Sequence, residues 1–347
     1  MKKILIGLGG LTALALAAFI WVQSNKMSFI ENQIDKNIAA MFETQSFPAS
    51  RFEVIFCGTG SPQYNPDRAQ PCLAVIAGGR FFLFDAGQGA AWQLSEFGLP
   101  YLSLDTIFLT HLHSDHMSGV ADVIHTGWIQ SRSHIVDVVG PPGTQALLEG
   151  IHQSYEDDVD ERVNAMGNGS FLESQYAFGA AREVDIEADE AVTVFDEDGV
   201  RIQAFKVDHP DWSAAFGYRV DFGGKSIVIS GDTKYTKAIG KHAQGVDYLI
   251  HEVINMEMMQ IAGSALAKHG GGISPERLEL IAAVHTPTME VAQSAVEANA
   301  ETLVLTHLIP PIPASSFVES AFVEGMDKVY QGEIIVARDG MRLTLIE

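Results

Sequence analysis

The sequence predicts an α/β fold built from two β-rich halves flanked by helices. Three observations carry this. Short apolar runs recur along the chain, each closed by Gly, Asp or His, as strands ending in polar turns do. Stretches of helical spacing lie between them. The chemically richest residues fall just after apolar runs, at the rim where sheets of α/β proteins usually place their sites.

Length and composition bound the rest. With 347 residues, 47% hydrophobic and 19% charged, the chain suits one large domain or two small ones with a sizeable core. There is no internal repeat. The 22 basic and 44 acidic residues give a net charge of −22. An anionic surface repels polyphosphate backbones, so this balance argues against a nucleic-acid partner.

The chain opens with Lys2 and Lys3 and an apolar run from Ile4 to Val22. This reads as a signal peptide, cleavable near Ala15-Leu16-Ala17, or as an uncleaved anchor just long enough to span a bilayer. Either places the rest outside the cytoplasm, in a periplasm, soluble or held to the inner membrane by residues 4–22. Residues 23–50 read as a linker with a short amphipathic helix. Its apolar face, Phe29, Ile30, Ile34, Ile38, Met41 and Phe42, suits packing on the domain or on a partner chain. A homo-oligomer is left open.

Residues 51–347 form the main domain. Strands are expected at Phe52–Cys57, Cys72–Ala77 and Arg80–Asp85, the last two joined by a Gly78-Gly79 hairpin turn. Cys57 and Cys72, the only cysteines, lie at the end of one expected strand and the start of the next, so contact between them is possible. They either pair, as exported cysteines can, or fill space as small buried residues. A helix is expected at Ala90–Phe97, a strand at Thr106–Leu109, a helix from Gly119 to Thr126 and a strand at His134–Val139. Residues 144–182 read as an acidic helical insertion able to roof a site. Strands follow at Gly199–Val207, Phe216–Phe222 and Lys225–Ser230. Helices are expected around Tyr235–Ala243, Ser274–Ala283 and Met289–Ala298, then a strand at Thr302–Thr306.

The richest stretch is Thr110-His111-Leu112-His113-Ser114-Asp115-His116. It holds three imidazoles and a carboxylate within six residues, straight after an apolar strand. Residues two apart share a face, so His111 and His113 aim together, and Asp115 and His116 reach a second position one turn on. Imidazole nitrogen and carboxylate oxygen are zinc-type ligands, and four so close suggest two metals side by side. Further ligands stand at later strand ends: His209 in Val207-Asp208-His209-Pro210, Asp232 in Ser230-Gly231-Asp232-Thr233, and His307 after Leu303–Thr306. Asp85, after Phe84, is a buried carboxylate suited to holding the His-rich loop. His251, in Leu249-Ile250-His251-Glu252, is read as orienting a ligand rather than as one. His125, His134, His152, His242 and His269 show no partner pattern.

These stretches resemble the metallo-β-lactamase superfamily, in its branch of ribonuclease Z and arylsulfatase-like hydrolases. The match rests on Gly58-Thr59-Gly60-Ser61-Pro62, Leu83–Gly89, the His-rich run, His209 with Ala215–Arg219, Ser230–Thr233, His285 and His307, in the family's order. The resemblance implies an αβ/βα sandwich and a site of two divalent metal ions, zinc by preference. It implies that His111, His113 and His209 hold one metal, Asp115, His116 and His307 the other, with Asp232 between. It also implies a catalytic role for His285, 22 residues before His307. There a His can give a proton to a leaving oxygen, while Asp115 can orient a nucleophile.

Two departures favour a small substrate. No basic, Gly-rich arm is evident. Leu308-Ile309-Pro310-Pro311-Ile312-Pro313 reads as an apolar wall, with Trp212 and Phe216 beside His209. The expectation is therefore an exported, zinc-dependent hydrolase of small esters, an aryl sulfate or phosphate ester foremost, with nucleic acid an unlikely partner. The alternatives are a β-lactam or lactone hydrolase, a ribonuclease Z-like phosphodiesterase, and a metal-dependent binder of small anions without catalysis.

Overall fold

The computed structural model describes residues 19, 21–43, 47–165, 172–187, 190–210, 214–271 and 274–347. They fall into two units, Met1–Gln45 and Ser46–Glu347. In the first, α1 (Lys26–Glu43) carries the amphipathic pattern, and Met27, Phe29, Ile30, Ile34 and Ile38 are exposed. Most of the signal or anchor segment lies outside the described residues. Among those described, no helix is long and apolar enough to cross a membrane.

The second unit holds two seven-stranded mixed sheets. The first contains β1 (Phe52–Gly58), β2 (Cys72–Ala77), β3 (Arg80–Ala86), β4 (Leu104–Phe108), β5 (Asp137–Gly140), β6 (Ala180–Glu183) and, at its other edge, β14 (Arg342–Ile346). Its order is β14-β1-β2-β3-β4-β5-β6. The second contains β7 (Ala191–Glu197), β8 (Val200–Val207), β9 (Ala215–Phe222), β10 (Lys225–Ile229), β11 (Tyr248–Ile254), β12 (Thr302–Ile309) and β13 (Glu333–Val336), ordered β13-β12-β11-β10-β9-β8-β7.

Strand alternation sorts the apolar residues into layers. Phe82, Phe84 and Phe108 point inward and meet Ile202, Tyr218, Ile227, Ile250 and Val304 of the other sheet. The opposite faces of the same strands, Phe81, Leu83 and Ile107, are covered by α2 (Ala90–Glu96), α4 (Val120–Ile129) and α5 (Thr144–Ala165). Leu249, Leu303 and Leu305 of the second sheet are covered by α6 (Lys237–His242), α9 (Thr288–Ala298) and α10 (Ser316–Phe322). The result is the αβ/βα sandwich. A short helix, α3 (Ser114–Met117), lies at the rim, and α7 (Met256–Lys268) and α8 (Pro275–Ala282) follow β11.

One expectation changes character. Residues 144–182 are not a helical insertion. Parallel strands need a crossover connection, and α5 is the crossover from β5 to β6, which pairs with it from Asp137 to Gly140. Among the described side chains of α5 only Leu148 and Val159 are buried apolar ones, so the acidic face that suggested an insertion is its solvent side.

Two bulges shape the rim. Cys72 pairs with Ala86 but Leu73 with Phe84, so Asp85 is an extra residue on β3, at φ 59°. Glu252 pairs with Thr306 but Val253 with Leu308, so His307 is an extra residue on β12, at φ 47°. Bulges re-aim side chains beside active sites, and the left-handed backbone costs a non-glycine residue energy that surrounding structure must offset. Behind β3, Gly87 packs against the Asp115 carbonyl, where any Cβ would collide.

Cys57 and Cys72 form a disulfide across β1 and β2, with Cα atoms 4.9 Å apart. They are separated by 15 residues, a loop whose closure stabilises by about 3 kcal/mol in the chain-entropy model. Replacing both with Ala should lower the unfolding free energy by about that amount in urea titrations. An unchanged midpoint would show that the bond contributes nothing.

Candidate metal centre

Eight polar side chains converge between the sheets, at the ends of β4, β8, β10 and β12 and in the turn before α9. Their donor atoms fall into overlapping groups: His111, His113 and His209; His111, His116 and Asp232; Asp115, His116 and His307; Asp232, His285 and His307. Every residue expected to hold a metal is brought together. In one cluster, Asp115 Oδ2 stands 3.5 Å from His116 Nε2 and 3.3 Å from His307 Nε2. Asp232 Oδ2 stands 3.4 Å and 3.3 Å from the same two nitrogens. Ligands bonded at 2.0–2.1 Å in a tetrahedron lie about 3.3 Å from one another. In the other cluster, His113 Nδ1 is 3.3 Å from His209 Nε2, and Asp232 Oδ2 is 3.9 Å from His111 Nε2.

Hydrogen bonds behind the centre set which nitrogen faces inward. The His116 Nδ1–H donates to Asp85 Oδ2 at 2.8 Å, so Nε2 is the nitrogen turned to the centre. The same carboxylate accepts the Thr110 N–H at 2.8 Å and the Thr110 hydroxyl at 2.9 Å. That hydroxyl in turn accepts from His111 Nδ1 at 3.1 Å. The Asp85 bulge thus orients two imidazoles. The His209 Nδ1–H donates to the Val284 carbonyl at 3.0 Å. Nε2 of His111 and His116 and Oδ1 of Asp232 are buried with no hydrogen-bond partner. Buried lone pairs left unmatched are costly, and a cation satisfies them, so the donor set fits divalent metal.

Charge follows the same pattern. Burial and the nearby His116 hold the His111 imidazole well below its ordinary pKa. Burial opposes the Asp232 carboxylate, but His307 and His116 outweigh it and hold it well below the carboxylate range. His111 and Asp232 are thus in the forms that bind metal, whereas at His116 burial is outweighed by Asp232, Asp85 and Asp115, which push its pKa well up, so metal binding there displaces a proton.

Supporting partners of this kind commonly cost ten- to a hundredfold in metal affinity when removed. Asp85→Asn should therefore weaken metal binding by about that factor in a chelator competition. Undiminished affinity would show that Thr110 and His116 need no such anchor.

Other expectations are corrected. Phe216 is no part of a substrate wall. It is fully buried among the inward residues of both sheets, because it sits on β9 in phase with Tyr218 and Val220. Ile309 is buried against Ile254 and Met259, and Pro310 is buried too, so neither offers an open apolar surface. Trp212 lies outside the described residues. His251 shares the face of Leu249 and Val253, turned to the outer helices. Its Nδ1 meets only the neighbouring Glu252 carbonyl, at 2.6 Å. The next residue holds the position that mattered. Glu252 shares the inner face with Ile250, accepts the Thr286 N–H at 2.7 Å, and brings Oε2 to 3.2 Å from His285 Nδ1. Strand alternation puts Glu252 and His251 on opposite faces, but it does not say which of the two looks inward.

His285 itself stands beside the centre, its Nδ1 3.9 Å from Asp232 Oδ2. Burial pulls its pKa down, but the Glu252 carboxylate, with Asp232 further off, outweighs this and pushes it up to about 9.

A family model described as a β-lactamase superfamily domain matches residues 80–308. With that match, the sandwich and the paired His/Asp clusters, the chain belongs to the metallo-β-lactamase superfamily of metal-dependent hydrolases. It is 31% identical over 265 residues to the ribonuclease Z of Mycobacterium marinum, covering 76% of this chain and 88% of that one. It is 32% identical over 265 residues to that of Mycobacterium avium, with the same coverage. Its place is in the ribonuclease Z branch. Two solved structures share the fold at a TM-score of 0.59. Human tRNase Z, short form, is 23% identical, over 84% of this chain and 98% of the other. The Bacillus subtilis metallo-β-lactamase fold protein YhfI is 18% identical, over 85% and 99%.

These relatives overturn the expectation of a hydrolase of small aryl esters with nucleic acid an unlikely partner. The physical error lay in using a whole-chain charge. A net value of −22 bounds long-range attraction and its salt dependence, but not the chemistry of one buried rim.

Proposed function

We propose that this chain is a metal-dependent phosphodiesterase of the ribonuclease Z kind that hydrolyses an RNA phosphodiester bond. The observation that carries this is the paired His/Asp cluster with the His285–Glu252 pair at its edge, in a chain over 30% identical to ribonucleases Z. His111, His113 and His209 would hold one ion and Asp115, His116 and His307 the other, with Asp232 shared; zinc suits this donor set. Two such ions, when bound, lower the pKa of water toward neutrality and offset charge developing on phosphate oxygens.

The residues do the rest. Asp115 turns Oδ2 toward His116 and His307 and is assigned to orient the attacking water with its other oxygen. His285, kept protonated by Glu252, is assigned to pass its proton to the leaving oxygen. The test is cleavage of a precursor tRNA bearing a 3′ extension, with and without chelator. Release of the extension only with metal is expected. Turnover of small aryl esters with no action on any RNA would refute the reading.

A further inference from the structure

Rings left in water are the least explained feature of the second unit. Among its described residues four large aromatic side chains are exposed: Tyr64 (88%), Trp92 (72%), Phe317 (83%) and Tyr155 (36%). Two of the three most exposed stand on or beside the loop joining β1 to β2, and the third follows a residue bonded to that loop. Tyr64 lies on it. Trp92, on α2, lines a cleft of about 360 Å³ with Asn65, Pro66 and Asp67 of that loop. Phe317, on α10, follows Ala314 by three residues, and the Ala314 N–H donates to Asp67 Oδ2 at 3.2 Å.

The loop is held rather than slack. Asn65 Nδ2 donates to the Ile312 carbonyl at 2.8 Å. The buried Arg68 donates to Thr59 Oγ1 at 2.8 Å and to Glu319 Oε1 at 2.6 Å. Asp339 accepts the N–H groups of Thr59 at 2.9 Å and Ala69 at 2.6 Å. The same loop is joined to the metal centre. The Thr59 carbonyl accepts the Leu308 N–H at 3.2 Å, next to His307. Gly58 lines one small cavity with Asp85, His116, Asp232 and His307. The segment from His307 to Phe317 thus runs from the metal centre to one of the rings.

The charges nearby are already matched. Arg68 and Arg338 both pair with Glu319, so neither guanidinium is set aside for phosphate. Flat rings on a fixed base, beside a centre that cleaves RNA, suit stacking of unpaired bases, which needs no net positive surface. We infer that Tyr64, Trp92 and Phe317 form a platform on which unpaired nucleotides beside the scissile bond stack. This rests on the RNA phosphodiesterase reading above.

The experiment uses the full metal-loaded chain and the variants Tyr64→Ala, Trp92→Ala, Phe317→Ala and their combination. All three positions are exposed, so thermal transitions should match wild type. Binding of a fluorescein-labelled eight-nucleotide oligoadenylate is measured by rapid-mixing fluorescence anisotropy, and KM on a 3′-extended RNA is measured alongside. Each single loss should weaken oligonucleotide binding and raise KM by roughly five- to a hundredfold. Turnover of bis(p-nitrophenyl) phosphate, which carries no flanking nucleotides, should not change. The salt dependence of binding should be shallow, since counterion release contributes little. Wild-type affinity in the triple variant would overturn the platform even if RNA is cleaved. So would loss only of self-association or vesicle binding. Stacking of the oligonucleotide with no RNA cleavage would leave the platform standing and sink the activity.

Discussion

Replacing Asp232 with Ala should abolish metal-dependent turnover while leaving the fold intact. Its Oδ2 lies 3.3–3.9 Å from donor nitrogens of four histidines, His111, His116, His285 and His307. It is fully buried and held anionic against its own desolvation by His307 and His116. Asp115 is the other carboxylate of the metal set, so removing Asp232 leaves two divalent ions among neutral imidazoles with one negative charge. The loss should exceed the roughly hundredfold effect of removing a mere supporting partner. Metal content by mass spectrometry should fall from about two equivalents to one or fewer. An Asp232→Ala enzyme that keeps two ions and its rate would refute the shared-ligand assignment. Chelation of the wild type should remove activity in the same way, with recovery on adding zinc.

Replacing His285 with Ala should lower kcat by roughly 10²–10⁴ with both metals retained, the usual scale for a lost general acid. The loss should grow as the leaving group becomes more basic, because nitrophenolate departs without a proton whereas an alkoxide needs one. A uniform loss across a leaving-group series would point to substrate binding instead. The sign of the pH effect follows from the protonated form being the active acid. With its pKa pushed up to about 9, His285 holds its proton below that value, so activity should decline as pH rises through about 9. Glu252→Gln removes the largest influence raising that pKa, so the alkaline limb should move toward neutrality. A limb that stays in place would show that another group sets it.

The parts of the site legible in the sequence share one property: their local spacing already dictates their geometry. His111 and His113 lie two apart at a strand end, and Asp115 and His116 follow in the next turn. Asp232 and His307 close apolar runs, so their place on the rim was readable. Glu252 was not chosen, although it adjoins His251, because a run of apolar residues does not say which face of a buried strand looks inward. Phe216 failed for the same reason. The edge strands β7, β13 and β14 also escaped notice. They are half-buried, with mixed sequences such as Glu333-Ile334-Ile335-Val336, so no clean alternation marks them.

The sequence by itself determined an α/β fold of two β-rich halves and the set of histidines and aspartates that can take two metals, because strand periodicity and close ligand spacing are local; the order of those motifs carried the resemblance to the family and, through it, the αβ/βα sandwich. Only the tertiary structure decided the rest. It turned the acidic stretch 144–182 into a β5–α5–β6 crossover, since parallel pairing is a contact between distant strands. It set Asp85 and His307 on bulges at positive φ, which depends on register with β2 and β11. It gave His285 its partner, because Glu252 and His285 are 33 residues apart and meet only where β11 and the turn before α9 share the rim. And it set Tyr64 and Trp92 on or beside one loop, with Phe317 following a residue bonded to that loop, since a long network through Arg68, Glu319 and Asp339 fixes three segments that no spacing rule connects.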